Sequence, residues 1–367
     1  MIMGEPQPIL DPLTPAALFL VATVDEGGEA VVRDLLADLP GLRRSVGFRV
    51  PGSGLACITS IGSAAWDRLF SGPKPARLHE FPEFAGERHR APATPGDLLF
   101  HIKSETQDAC FELAMKISER LAGAATIVDQ TVGFRYFEQR DLLGFVDGTE
   151  NPEGPLAATA ALVGEEDPEF AGGSYVIVQK YLHDLGGWKA LSTTEQEKVI
   201  GRTKLDDFEL SDDDKPANSH VAVNDQAING NIVRANMPFG SVQDGEFGTY
   251  YIAYADDPAI TENMLTRMFL GSTDAAYDRI LDFSTAVTGT SFFAPHAGFF
   301  DALPDSPAAS AARLDSGLTE RGSEAEERRR EESSLQGRGQ PERSGGKLDT
   351  VSGDGSLGIG TLRRSNA

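Results

Sequence analysis

Up to Phe300 the apolar positions follow two spacings, and each spacing predicts a different element. "ALFLVATV" (17–24) and "LACITSIG" (55–62) are short, nearly unbroken apolar runs and predict buried strands. Between them, "GEAVVRDLLADLPGL" (28–42) returns apolar residues every three or four positions, the period of an amphipathic helix. The order continues with a strand at "DLLFHIKS" (97–104), the most regular helical period of the chain at "ETQDACFELAMKISERLAG" (105–123), and a strand at "IVDQTVGFRYF" (127–137). A second round follows. It has a strand at "GGSYVIVQKYLHDL" (172–185), a polar helix at "TTEQEKVIGR" (193–202), a strand at "GTYYIAYAD" (248–256) and a helix at "ITENMLTRMFLG" (260–271). Two βαββαβ-like halves result, hence an α+β fold with antiparallel sheets. No sequence identity between the halves is visible.

Beyond Phe300 the pattern stops. No Phe, Trp or Tyr occurs there, and Ser, Gly, Glu and Arg dominate "GSEAEERRREESSLQGRGQPERSGG" (322–346). Without apolar surface to offset chain entropy, this stretch is expected to stay disordered. The ending "DGSLGIGTLRR" (354–364) brings back Leu357, Ile359 and Leu362 between glycines, as a docking peptide on a tether would. The expected divisions are residues 1–150 and 151–302 for the two halves, 303–353 for the linker and 354–367 for the tail.

Composition adds limits. At 40% hydrophobic, 367 residues can bury the core of one large domain or two ordinary ones. The net charge is −23, and residues 303–367 carry 11 acids and 10 bases, which leaves about −22 on the rest. Such a body repels phosphate backbones, so nucleic acid is not an expected partner. Cys57 and Cys110 stand in no CxxC or metal-ligand spacing and read as small core residues. No Lys or Arg precedes Arg33, and no run reaches the roughly 18 apolar residues of a membrane span, so the expectation is a soluble cytoplasmic protein.

The candidate chemistry begins with "GFVDGTENP", which sets Asp147 between Gly144 and Gly148. Glycines permit unusual backbone angles and leave a carboxylate open to a ligand, but an Asp-Gly turn alone is a common loop. Farther on, "NSHVAVNDQAINGNIVRANMPFG" gathers His220, Arg234 and Asn236 in a polar, glycine-marked region. Six histidines are present (79, 89, 101, 183, 220 and 296), and spacing elects none of them.

Taken together, "GFVDGTENP", "NSHV" followed by "IVRANMPFG", and "YDRILDFSTAVTGTSFFAP" (277–295) resemble the dye-decolorizing peroxidase family, nearest its bacterial B-type members. The resemblance spans residues 10–302. It implies two ferredoxin-like halves of the dimeric α+β barrel type, holding haem b (iron protoporphyrin IX) in the second half. His220 matches the proximal iron ligand, whose other ring nitrogen would donate to a carboxylate. Asp278 is the expected partner, with Asp282 as the alternative. Asp147 matches the distal acid–base residue and Arg234 the distal arginine. Asn236 matches a polar neighbour able to position peroxide or a bridging water.

The implied reaction reduces hydrogen peroxide and oxidises an organic donor such as a dye or phenol. Trp66, Trp188, Tyr251 and Tyr277 are candidates for passing electrons from large donors, and each is by default a core aromatic. Glu150 is open to two readings, a haem-edge or manganese contact and a solvated turn acid. The tail resembles the peptide that loads B-type peroxidases into encapsulin shells, which implies a packaged homo-oligomer with the shell protein as partner of residues 354–364. Two other classes remain at this stage: a haem-handling protein for storage or iron release, and a structural cargo protein with a vestigial pocket. Asp147, Arg234 and Asn236 together weigh against both, since haem storage needs no distal acid and cation.

Overall fold

The computed structural model describes residues 4–225 and 230–311. Its first half runs β1 (Ala16–Val24), α1 (Glu29–Arg49), β2 (Ala56–Gly62) and α2 (Ser63–Leu69). A small ribbon follows, β3 (Phe84–Ala85) with β4 (Arg90–Ala91), then β5 (Leu98–Ser104), α3 (Gln107–Leu121) and β6 (Ala125–Phe134). The second half opens with α4 (Pro155–Ala161), β7 (Ser174–His183), α5 (Leu185–Ala190), α6 (Thr193–Ile200) and the single turn α7 (His220–Val223). It closes with β8 (Val233–Arg234), β9 (Met237–Ser241), β10 (Glu246–Ala255), α8 (Pro258–Leu270), β11 (Ser284–Ala286) and β12 (Thr290–Ala294).

All ladders of the main sheet are antiparallel, in the order β6-β1-β5-β2-β12-β7-β10-β8, with β9 also on β10 and β11 on β7. Each half therefore carries the strand order of a βαββαβ unit, and β2 joins β12 so that the two units form one sheet. The sheet's ends approach each other at Gly133 of β6, where a Cβ would stand 2.6 Å from Cβ of Met237 on β9. Only glycine tolerates that spacing, so Gly133 lets the sheet curl closed.

The strand β1 shows why its sequence lacks alternation. Leu18, Leu20 and Ala22 pack outward with α1 and α3, while Ala17, Phe19 and Val21 pack into the barrel with Tyr250, Tyr254 and Phe292. A strand buried on both faces reads as a continuous apolar run. The predicted helix at 28–42 extends to Arg49, straight through Pro40. A proline inside a helix costs about 3 kcal/mol, and the burial of Leu39 and Val46 on either side of it outweighs that cost. β9 and β12, which the periodic reading does not find, are only five residues long.

Cys57 and Cys110 are free and buried, and burial pushes both thiols up to about 12. Among the described residues no helix is long and apolar enough to cross a membrane. The readings of the linker beyond residue 311 and of the tail at 354–364 lie outside the described residues.

Trp66 on α2 links this core to the second half. It is 1% exposed and meets Phe70, Phe170 and Phe293 edge-on, with ring centroids 5.2, 5.5 and 6.0 Å away. Replacing it by alanine is expected to lower stability by about 3–5 kcal/mol, measured as a shift of the urea unfolding midpoint.

Candidate active site

His220 opens α7, and Ser219 before it caps that turn by accepting the N–H of Ala222. Its ring nitrogen Nδ1 lies 2.7 Å from Oδ2 of Asp278. Asp278 is fully buried and starts the 3-10 turn Arg279–Asp282, where its Oδ1 accepts the Ile280 N–H at 3.0 Å. Asn224 adds a donor to Oδ2 at 3.2 Å. Each carboxylate oxygen is thus hydrogen-bonded, as a buried charge requires. Burial alone would lower the His220 pKa, but the charge and hydrogen bond of Asp278 outweigh it and raise the net value. Nε2 has no hydrogen-bond partner among the described residues, and the side chain is 28% exposed, towards the cavity it lines. Asp282, the alternative partner, instead meets His89 at 3.2 Å and the Tyr277 hydroxyl.

Asp147 ends a tight loop. Arg140 and Val146 form an isolated antiparallel bridge, Asp141 N–H donates to Phe145 O at 2.8 Å, and Asp147 N–H donates to Gln139 O at 2.9 Å. Gly144 has φ +93°, and a Cβ there would stand 2.7 Å from Lys204 Cε. The glycine therefore answers to the loop backbone and to the lysine lying across it. The Asp147 carboxylate accepts from Asn236 Nδ2, at 3.3 Å to Oδ1 and 3.1 Å to Oδ2. Asn236 sits where β8 and β9 break along one edge of β10, and its Oδ1 takes the Ile252 N–H at 3.1 Å. Its amide thus holds Asp147 to the sheet edge, and the residue also lines the cavity.

Arg234 stands on β8, one residue before that break. Asn151 of the "ENP" turn binds its backbone twice, accepting from Arg234 N at 3.0 Å and donating to Arg234 O at 2.7 Å. The guanidinium makes no hydrogen bond or ion pair among the described residues, and its charge opposes protonation of both His220 and Tyr251.

Asp147, His220, Arg234 and Asn236 line one cavity enclosing about 1260 Å³ of empty space, part of it open to solvent. Leu143, Phe145, Ile232, Met264 and Leu265 supply apolar wall. Residues that the sequence reading missed line it too: Asp141, His183, Arg202 and Thr249. None of these stands in a motif; only the fold gathers them. Glu150 pairs with Arg202 at 3.2 Å, and among the described residues no three His, Cys, Asp or Glu side chains form a metal-ion group. Of the electron-transfer candidates, Trp66 and Trp188 are each 1% exposed and belong to the core. Tyr251 lines the cavity, and Tyr277 is half-buried at the surface.

Two ferredoxin-like halves sharing one curled sheet, with acid, cation and anchored imidazole all facing the second half's cavity, place the molecule among two-domain α+β barrel enzymes. The chain belongs to the Dyp-type peroxidase family: residues 6–135 match the model of the family's N-terminal part and residues 138–299 that of its C-terminal part. A dye-decolorizing peroxidase of Rhodococcus erythropolis is 60% identical over 306 residues, 82% of this chain and 90% of that protein. The encapsulated DyP-type peroxidase of Mycobacterium smegmatis, solved by cryo-EM, is 62% identical with a TM-score of 0.81, covering 83% of this chain and 100% of that one. A DypB variant of Rhodococcus jostii, in complex with heme, is 52% identical with a TM-score of 0.79, covering 83% and 100%.

His183 yields a pH prediction. It bridges Ser284 Oγ at 2.8 Å and Thr249 Oγ at 2.9 Å, and burial pulls its pKa down to about 4. Because the folded value lies below the unfolded one, the stability it contributes is present above pH 6.5 and is lost as pH falls towards 4. The loss amounts to about 3 kcal/mol at most. His183→Gln is expected to flatten that part of the slope in denaturant unfolding measured across the window.

Proposed function

We propose that this protein is a haem b peroxidase that reduces hydrogen peroxide, oxidises dyes, phenols or similar donors, and is carried inside an encapsulin shell. The observation that carries the reading is the shared cavity, with the carboxylate-anchored imidazole of His220 and the acid–cation set of Asp147 and Arg234 around it. The donor set fits the cofactor. An imidazole with Nδ1 held by a buried carboxylate and Nε2 unpartnered among the described residues suits a haem iron, and the apolar walls suit a porphyrin. His220 would ligate through Nε2, while Asp278 fixes the ring and makes it more basic.

Bound haem would supply the redox iron that takes up the oxidising equivalents of the peroxide. The remaining work falls to the chain. Asp147 accepts a proton from one peroxide oxygen at its carboxylate and delivers it to the other, so that the O–O bond breaks and water departs. Asn236 holds that carboxylate in orientation through its amide. Arg234 stabilises the charge that develops on the departing oxygen; with no carboxylate partner among the described residues, its charge is undiverted. We rank Arg234 above Asp147 for bond cleavage, because water can relay a proton but cannot replace a fixed cation.

The test is the absorption spectrum of purified protein before and after one equivalent of peroxide. A haem band that shifts is expected; a protein that takes up no haem overturns the reading. Arg234→Leu is expected to slow the shift by about 10²–10³-fold, and an unchanged rate overturns the ranking.

Packaging rests on the apolar residues of the tail and on the likeness to an encapsulated relative. Leu357, Ile359 and Leu362 would fill apolar pockets of the shell wall, and the polar linker would supply reach. Deleting residues 354–364 is expected to abolish loading while peroxide turnover stays unchanged; retained loading refutes the assignment.

A further inference from the structure

One carboxyl of the cavity has no task in the reaction described above. Asp141 opens the loop that ends on Asp147, and it is half-buried with its side chain lining the cavity. Its Oδ1 accepts the Phe145 N–H at 2.9 Å, and Oδ2 accepts no side-chain hydrogen bond among the described residues. Leu143 and Phe145 line the same wall.

The charged groups around Asp141 do not neutralise it. On its own loop Asp147 is a second negative charge. Lys204, from the segment after α6, exerts a favourable field, but its Nζ donates to Gln196 Oε1 at 2.6 Å, and Glu197 holds the Lys204 backbone. The Arg140 guanidinium is occupied by the carbonyls of Gly144, Lys204 and Leu205. A carboxylate facing apolar walls, a like charge and no bonded cation favours its protonated form. Burial, the largest cause, together with Asp147 pushes the Asp141 pKa up to about 7, against the backbone N–H groups of Phe145, Gly144 and Leu143, which favour the carboxylate.

Reduction of hydrogen peroxide to two waters consumes two electrons and two protons. The organic donor supplies the electrons, but each proton must reach an oxygen inside the cavity. We propose that Asp141 is the proton reserve of this site: it holds a proton in the resting protein and passes it to Asp147 or to a departing oxygen through water. The O–H bond on Asp141 breaks, an O–H bond forms on the acceptor, and the electron pair stays on the Asp141 carboxylate until solvent reprotonates it. The role rests on the peroxidase reading. Asp141 and Asp147 then divide the labour, one storing the proton and the other placing it.

Asp141→Asn is the suitable variant, because the amide oxygen can still accept the Phe145 N–H and keep the loop. Infrared difference spectra of the full-length protein are expected to show a protonated-carboxyl carbonyl band in the wild type. That band should disappear through a titration near pH 7 and be missing from Asp141→Asn. A wild type lacking the band below that pH overturns the proposal. In haem-loaded protein, Asp141→Asn is expected to slow turnover on the order of tenfold, less than a direct proton-transfer residue because water also delivers protons. It should also remove the limb of the pH–rate profile near neutrality. A profile identical to wild type overturns proton supply even where the band is present. The infrared band does not need haem, so a protein that binds none refutes the peroxidase reading without disturbing this assignment of the stored proton.

Discussion

A carboxylate with no exposed surface has to find all of its hydrogen bonds inside the protein, and Asp278 finds them in His220, Asn224 and Ile280. That requirement organises the histidine side of the cavity. It brings α7 against the 3-10 turn Arg279–Asp282, where Arg279 N–H also donates to Asn218 O at 3.0 Å. It fixes the imidazole so that Nε2 is the nitrogen left for a ligand. Breaking a buried pair of this kind leaves an uncompensated charge, so histidine, carboxylate and turn stand or fall together.

The opposite set depends on a flaw in a strand. An unbroken strand along this edge of β10 would have satisfied the Ile252 N–H with a backbone carbonyl; the break between β8 and β9 gives that donor to the Asn236 side chain instead. Such breaks re-aim side chains next to functional sites. Here the result is an amide turned onto Asp147 and a guanidinium without a partner among the described residues, on either side of Ala235. The barrel core beneath, built on Phe19, Tyr250 and Tyr254, keeps that edge in place.

Periodicity was enough to read the long elements, because β1, β2, β5, β7 and α3 each bury enough apolar surface to mark the chain. β9 and β12 are too short for that, and Gly133 gives no hint in sequence that a second strand lies against it. Resemblance pointed to His220, Asp147, Arg234 and Asn236 as a set, and the fold brings them to one cavity. Asp278 was preferred to Asp282 for its place before "LDFS", and the turn sets its carboxylate against His220 while Asp282 meets His89. Asp141 and His183 were invisible for a related reason: their pKa values depend on burial, which only the folded chain defines.

The two hydrogen bonds between Asn151 and the Arg234 backbone have a mechanical consequence. They tie the turn following Asp147 to the strand that bears the arginine, so the loop of the acid and the strand of the cation share one anchor.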